Sequence, residues 1–163
     1  MLLTISSTLL YSAFICYLIG TLLYGGTITR DKTTTRNSAA IFSKWGLRIT
    51  SLGLCMHFGY FICRWGYTGH APVSNMFEFT TAFSMFIIGA FLVLLKIYRV
   101  QALAVIALPI AILLIAYASM FPRHAAPLIP ALKSHWLTIH VLTTVLGEAV
   151  LYRLVHLQDF CTY

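Results

Sequence analysis

The sequence predicts an all-α, polytopic integral membrane protein with about five transmembrane helices. Of its 163 residues, 60% are hydrophobic and 9% are charged, and the mean hydropathy is +0.86. A soluble domain carries roughly 25% charged residues, so this chain has too few to cover a water-exposed surface. Its basic residues lie in short segments between apolar runs, which indicates topology signals rather than nucleic-acid binding.

The first apolar run spans residues 2–25 and is long enough to cross a bilayer, which takes about 20 residues. Leucine follows Met1 directly, without a basic segment or an obvious small-residue cleavage site. We therefore expect residues 1–28 to be a retained transmembrane helix rather than a cleaved signal peptide. Residues 29–44 are polar and basic, and they are predicted to form a cytoplasmic loop.

Residues 45–163 are predicted to form a four-helix membrane portion, with apolar runs at 45–62, 76–95, 102–121 and 136–152. Two glycines, a proline and an asparagine follow the first of these runs, a composition typical of a structured turn. Ser74 is predicted to cap the next helix, with Asn75 as the alternative, and Glu78 falls in its first turn. Pro109 should kink its helix unless neighbouring groups satisfy the freed carbonyl.

The basic residues are distributed unevenly between the two sides of such a five-span protein. Three fall on one side (Arg64, Arg123 and Lys133) and eight on the other (Arg30, Lys32, Arg36, Lys44, Arg48, Lys96, Arg99 and Arg153). The positive-inside rule then places the N-terminus outside and the C-terminus inside. We expect a multi-pass protein of the cell (inner or plasma) membrane whose functional face is extracytoplasmic.

Two histidines fall inside apolar runs and are the candidate cofactor ligands. His140 lies four residues past Trp136, about 6 Å along a helix, and His57 lies about 12 Å before Trp65. An imidazole partly removed from water stays neutral, and the neutral form ligates haem iron or another soft metal. The alternative for each histidine is a hydrogen bond to a nearby backbone carbonyl.

Glu148 lies two turns beyond His140, on nearly the same side of the last helix. An intramembrane carboxyl group is either protonated or paired, so Glu148 is a candidate partner of the ligand, a proton relay or a neutral group bonded between helices. Histidines in exposed loops are mostly solvated, and this applies to His70, His124 and His135. No zinc-type spacing, phosphate loop, CxxC pair or partnered nucleophile occurs, and we assign no catalytic residue.

Two segments resemble the cytochrome c assembly family of the CcsA/ResC type. Residues 64–78 read RWGYTGHAPVSNMFE, which is similar to that family's R-W-x-x-x-G-H-x-P-x-S-N-x-Y/F-E. Residues 127–141 read PLIPALKSHWLTIHV, which is similar to its P-x-x-P-A-L-x-S-x-W-L-x-x-H-V. The order and spacing of the two segments also fit, and the resemblance covers roughly residues 47–151.

The resemblance implies a membrane component of cytochrome c biogenesis that handles haem, expected as haem b, at the outer face for attachment to apocytochrome c. It implies a ResB-type companion membrane protein, together with which the family acts as a holocytochrome c synthase. His140 falls on the family's first outer-side histidine, an axial haem ligand, and His57 falls near an intramembrane histidine. His135 and Trp136 are candidate neighbours of the ligand. The loop signature, expected to shape an outer vestibule, falls on Gly69, His70, Pro72, Ser74, Asn75 and Glu78.

The chain also departs from the family pattern. The Trp-rich segment W-G-x-x-W-x-W-D and the second outer histidine do not occur in these 163 residues, so the match is to the family's N-terminal portion. We expect a second polypeptide to be needed for complete haem ligation, and the chain alone to be insufficient for attachment. The alternatives are a truncated, cofactor-free accessory membrane subunit, or a small proton-linked transporter with Glu148 as proton carrier.

Overall fold

The computed structural model describes residues 2–30, 36–98 and 101–123, together with positions 139, 140, 143, 144 and 147. The described part is helical and contains no strand, which confirms the all-α prediction there. Its helices are, in chain order, α1 (Leu2–Arg30), α2 (Arg36–Thr68), α3 (Met76–Tyr98) and α4 (Ala104–Ala118), the last preceded by a 3-10 turn, Gln101–Leu103. Most of the fifth apolar run lies outside the described residues, so the number of five spans stays a prediction.

Helix α2 is longer than its apolar run at both ends. It begins at Arg36 and so includes much of the segment that we expected to be a loop through Lys44. Residues 36–44 contain neither glycine nor proline and include two alanines, so nothing local ends the helix there. At its other end α2 continues to Thr68, into the segment predicted as a turn.

The turn between α2 and α3 is therefore residues 69–75. Gly69 adopts φ +72°, a left-handed conformation that glycine accepts without strain, and its N–H donates to the Trp65 carbonyl at 2.9 Å. Asn75 Oδ1 accepts the N–H of Glu78 at 2.8 Å. Asn75, the alternative in our prediction, is thus the side chain that caps α3.

Helices α1 and α2 run antiparallel and pack closely at glycines. A Cβ at Gly46 would lie 2.9 Å from the Tyr24 ring, and one at Gly53 would lie 2.9 Å from Cys16 Cβ and from the Tyr17 ring. The residue number on α1 falls as the number on α2 rises, which is the antiparallel order. Small residues let helix backbones approach closely in a membrane.

Helix α1 also packs against α4, α3 packs mainly against α4, and α2 and α3 have fewer contacts with each other. Helix α4 continues through Pro109 and ends at Ala118, before the predicted Phe121. Many large apolar side chains point outward, as on a surface that faces lipid; Leu22 is 76% and Leu113 is 66% exposed.

Two of the described helices are long and apolar enough to span a membrane, judged by length and composition, at Leu3–Thr27 and Met76–Ile97. The apolar helix Ala104–Ala118 is shorter. Apolar helices with outward-facing apolar side chains fit a membrane protein, and the sidedness of the helices stays a prediction.

We expect Gly53→Ala to lower the free energy of unfolding by about 1–3 kcal/mol, because the new methyl group overlaps Cys16 Cβ and the Tyr17 ring. Gly66→Ala is the matched control, since a Cβ at Gly66 on the same helix meets no atom within 4 Å. Denaturant titration of the purified protein in mixed micelles measures both variants. Equal stability of Gly53→Ala and the wild type would contradict the close packing.

Candidate functional site

Side chains of Thr68 and His70 hydrogen-bond to the backbone of the turn between α2 and α3. Thr68 Oγ1 donates to the His70 carbonyl at 2.7 Å, and the His70 ring donates from Nδ1 to the Ala71 carbonyl at 3.0 Å. Pro72 is buried. The His70 ring nitrogen Nδ1 is therefore engaged within its own turn.

Glu78 is buried and receives bonds from the residues just before its helix. Its Oε2 accepts from Ser74 Oγ at 2.8 Å and from the Ser74 N–H at 3.2 Å. Its own N–H donates to Asn75 Oδ1. Ser74, Asn75 and Glu78 thus form a reciprocal cap, similar to a capping box but begun one residue earlier. The other carboxylate oxygen, Oε1, remains for a partner on α2.

That partner is Arg64. Its Nε donates to Glu78 Oε1 at 3.1 Å, and the two side chains are 3% and 0% exposed. A second guanidinium nitrogen donates to the Arg123 carbonyl at 2.6 Å, and the group lies 5.6 Å from the Phe77 ring centroid. The ion pair therefore ties α2, the start of α3 and the segment after α4 together.

Arg123 closes the same end of the bundle. Its guanidinium lies 5.3 Å from the Tyr11 ring centroid and 5.5 Å from the Phe77 ring centroid, distances at which a cation is attracted to an aromatic face. Tyr11 belongs to α1, so α1, α2, α3 and the segment after α4 meet at this end, which we call the ion-pair end.

Polar contacts continue from the ion-pair end towards the middle of the bundle. Tyr60 Oη and Thr81 Oγ1 lie 3.3 Å apart, both buried between α2 and α3. One turn further along α2, the buried His57 ring lies 5.8 Å from the Tyr60 ring. His57 Nδ1 lies 3.3 Å from Tyr17 Oη on α1.

The other ring nitrogen of His57, Nε2, lacks a hydrogen-bond partner in the part of the chain that the structure describes. The Thr81 backbone approaches the ring, but Nε2 has no hydrogen-bond partner among the described residues. When Nδ1 carries the proton and donates to Tyr17, Nε2 presents a free lone pair, as a metal-ligating histidine does. His57 lies seven residues from Arg64, so this lone pair is about 10 Å from the ion pair along α2.

The structure keeps the two candidate ligands in different surroundings. His57 is fully buried, whereas His140 is helical and exposed, and its carbonyl accepts from Thr143 Oγ1 at 2.9 Å and Thr144 Oγ1 at 2.8 Å. His124, His135, Trp136 and Glu148 lie outside the described residues. Within the described part, no group of three or more His, Cys, Asp or Glu side chains could hold a metal ion. The described residues therefore offer individual imidazoles as candidate ligands and not a metal-binding cluster.

Sequence reasoning missed the roles of Arg64 and Tyr17. Arg64 was counted as a loop charge. The signal for its role was that Glu78 lies in the same segment, residues 64–78, and that a chain with four acidic residues offers few other partners for a buried arginine. The sequence indicates a role for Tyr17 less clearly than it does for Arg64. It lies seven residues before Tyr24 on α1, so two phenols share one face of an otherwise apolar run.

Comparison with known proteins identifies similar sequences. The chain is 33% identical to the cytochrome c biogenesis protein CcsA of Welwitschia mirabilis over 149 residues, 88% of this chain and 46% of that protein. It is 30% identical to CcsA of Mesostigma viride over 158 residues, 92% of this chain and 48% of that protein. A shorter match, 35% over 94 residues, is to CcsA of Prochlorococcus marinus (strain NATL2A), covering 55% of this chain and 30% of that protein.

The chain spans about half the length of the first two of these relatives. No family model matches the chain, and no solved structure matches it.

Arg64→Met or Glu78→Met alone should lower the free energy of unfolding by about 3–5 kcal/mol, because each leaves the other charge buried without its partner. The double variant Arg64→Met/Glu78→Met should be more stable than either single variant. Denaturant titration in micelles gives all four free energies of the cycle. Additive losses in the double variant would show that the two side chains do not act as a pair.

Proposed function

The chain belongs to the CcsA-type family of cytochrome c biogenesis proteins, and we propose that it is a haem-holding portion of such a protein, with His57 Nε2 as a ligand to iron inside the membrane. In this proposal haem, as haem b, is cargo that the protein presents at the outer membrane face. His140 is the axial ligand there. A ResB-type companion membrane protein and apocytochrome c are the protein partners.

The observation that carries the proposal is that His57 Nε2 has no hydrogen-bond partner among the described residues. A buried polar atom without a partner costs about 1–3 kcal/mol, so its presence calls for an explanation. Ligation of iron would use that lone pair. The Tyr17 hydroxyl bonded to Nδ1 supports this role, because a partner on the far nitrogen fixes the tautomer and orientation of a ligating imidazole.

Haem cannot reach Nε2 while the side chains around His57 keep their present positions, because the imidazole has no exposed surface. The Tyr60 ring, 5.8 Å from the imidazole, is the neighbour whose movement we propose for access. Tyr60 donates to or accepts from Thr81 at 3.3 Å, a long bond that a rotation of the ring could exchange.

At the outer face, the proposed reaction is addition of a cysteine S–H across each haem vinyl group, with sulfur bonded to one vinyl carbon and hydrogen to the other. The cysteines are those of the CxxCH segment of apocytochrome c. The contribution of this chain is to hold the porphyrin in one orientation, so proximity rather than an acid–base pair accelerates the step. Exposure of His140 suits a ligand that must meet a second protein.

His57→Ala should abolish the haem absorption that depends on the intramembrane ligand. His140→Ala should likewise remove the haem absorption that depends on the outer ligand. The matched control is Thr50→Val, which should keep the haem. It removes another buried polar atom of α2 that has no hydrogen-bond partner in the described part of the chain. Absorption spectra of the purified membrane protein, normalised to protein, measure the haem content. Haem content unchanged by His57→Ala would reject the intramembrane ligand, and content unchanged by His140→Ala would reject the outer one.

Tyr17→Phe should keep His57 but lose the bond to Nδ1, and haem affinity should fall by about 10–100-fold. The reduction potential of the bound iron should rise, because an imidazole that no longer donates from Nδ1 is less basic and stabilises the ferric state less. The control is Tyr24→Phe, since Tyr24 Oη is buried without a partner in the described part of the chain. Haem titration and a spectroelectrochemical titration measure the two quantities. An unchanged potential in Tyr17→Phe would show that this hydroxyl does not orient the ligand.

A further inference from the structure

An apolar groove of about 620 Å³ opens between α2 and α3 at the end of the bundle opposite the ion pair. We call it the α2–α3 groove. Its walls are, from α2 and then α3, Leu47, Ser51, Leu54, Gly89, Leu92, Val93, Leu95 and Lys96. The groove is independent of the proposed haem ligands, since neither His57 nor His140 lines it.

The groove exists because α2 and α3 are joined at one end and separate towards the other. The Arg64–Glu78 pair and the Tyr60–Thr81 contact lie at the joined end. Towards the other end, Gly89 contributes no side chain, and a Cβ built there would meet no atom within 4 Å. The space therefore separates α2 from α3 among the described residues, and Val93 on its wall is 58% exposed.

The charges around the groove lie at one end of it. Lys96 lines the groove and is exposed. Lys44 is exposed and precedes the lining residue Leu47 by three positions, so it extends the same face of α2 by about one turn. Glu78, the one acidic side chain of the described residues, is paired with Arg64 at the far end. Two cations without a described acidic partner thus border an apolar channel.

We propose that the α2–α3 groove binds an acyl chain of an anionic phospholipid, whose phosphate lies against Lys96 and Lys44. An amphiphile with an apolar chain and an anionic head matches apolar walls that end in two lysines. A helix packed into the groove would fit it less well than an acyl chain does. The lining from Leu47 to Leu54 is about 10 Å long, no more than the diameter of one helix, and the lysines would face that helix.

The test measures lipid retained by the full chain after reconstitution in phosphatidylcholine vesicles that contain phosphatidylglycerol. After extraction into a mild detergent, native mass spectrometry counts phospholipids per chain. The wild type should retain phosphatidylglycerol in preference to phosphatidylcholine. Lys96→Gln should lower the retained phosphatidylglycerol about fivefold, with a further loss in Lys44→Gln/Lys96→Gln. Gly89→Leu, which fills the groove, should prevent retention of either lipid.

Two controls separate the groove from general effects. Arg48→Gln removes a cation that lies over the Trp45 ring and does not line the groove. Gly66→Leu adds the same side chain as Gly89→Leu at another open position on the bundle. Both should retain phosphatidylglycerol as the wild type does.

Two results would overturn the proposal: retention of neither lipid by the wild type, or retention of phosphatidylglycerol unchanged by Lys96→Gln. Lys96→Gln is an exposed substitution, so it remains informative even if Gly89→Leu does not fold. Because the measurement contains no added haem, loss of the lipid site and loss of haem ligation are distinguishable.

Discussion

The buried ion pair between Arg64 and Glu78 is the contact on which the arrangement of these helices depends. Removing one of these charges from water without its partner would cost several kcal/mol, so the pair is tolerable only with its remaining groups bonded. Ser74 and the Arg123 carbonyl provide those bonds. In a membrane the hydrophobic effect does not drive helices together, so polar contacts and close backbone packing decide which helices meet. Here polar contacts join α2 to α3, and glycines bring α1 to α2.

The same contacts explain why the two ends of the bundle differ. At the ion-pair end, cation–aromatic contacts of Arg123 with Tyr11 and Phe77 add to the hydrogen bonds of the turn. Towards the other end no comparable polar contact between α2 and α3 is found among the described residues, and an apolar groove replaces it. Between the two ends, α2 buries His57 Nε2 and Thr50 Oγ1, neither of which has a hydrogen-bond partner among the described residues. The strongest contact between α2 and α3 therefore lies at one end of the bundle, away from these buried atoms.

Composition and hydropathy were enough to predict the helical class, because an apolar run of about 20 residues leaves few alternatives. They were not enough to predict where α2 begins, since the polar residues from Arg36 onward continue a helix as readily as they form a loop. The sequence predicted Glu78 in the first turn of α3 and a cap at Ser74 or, as the alternative, Asn75, because capping depends on residues close in sequence. The structure gives the cap to Asn75. The bond from Tyr17 to His57 joins residues 40 positions apart, and no local pattern encodes it.

The loop signature acquires a different meaning once Arg64 is placed. Ser74 and Asn75 hydrogen-bond to Glu78, and Glu78 bonds to Arg64, so these polar residues of the signature fix α2. Arg64 and His57 lie seven residues apart on α2, about two turns, and therefore on nearly the same face. A rotation of α2 that broke the ion pair would also turn His57 away from Tyr17. The loop signature and the proposed ligand are thus coupled through α2. The turn sets the rotation of α2 about its axis, and that rotation sets the direction in which the His57 imidazole points.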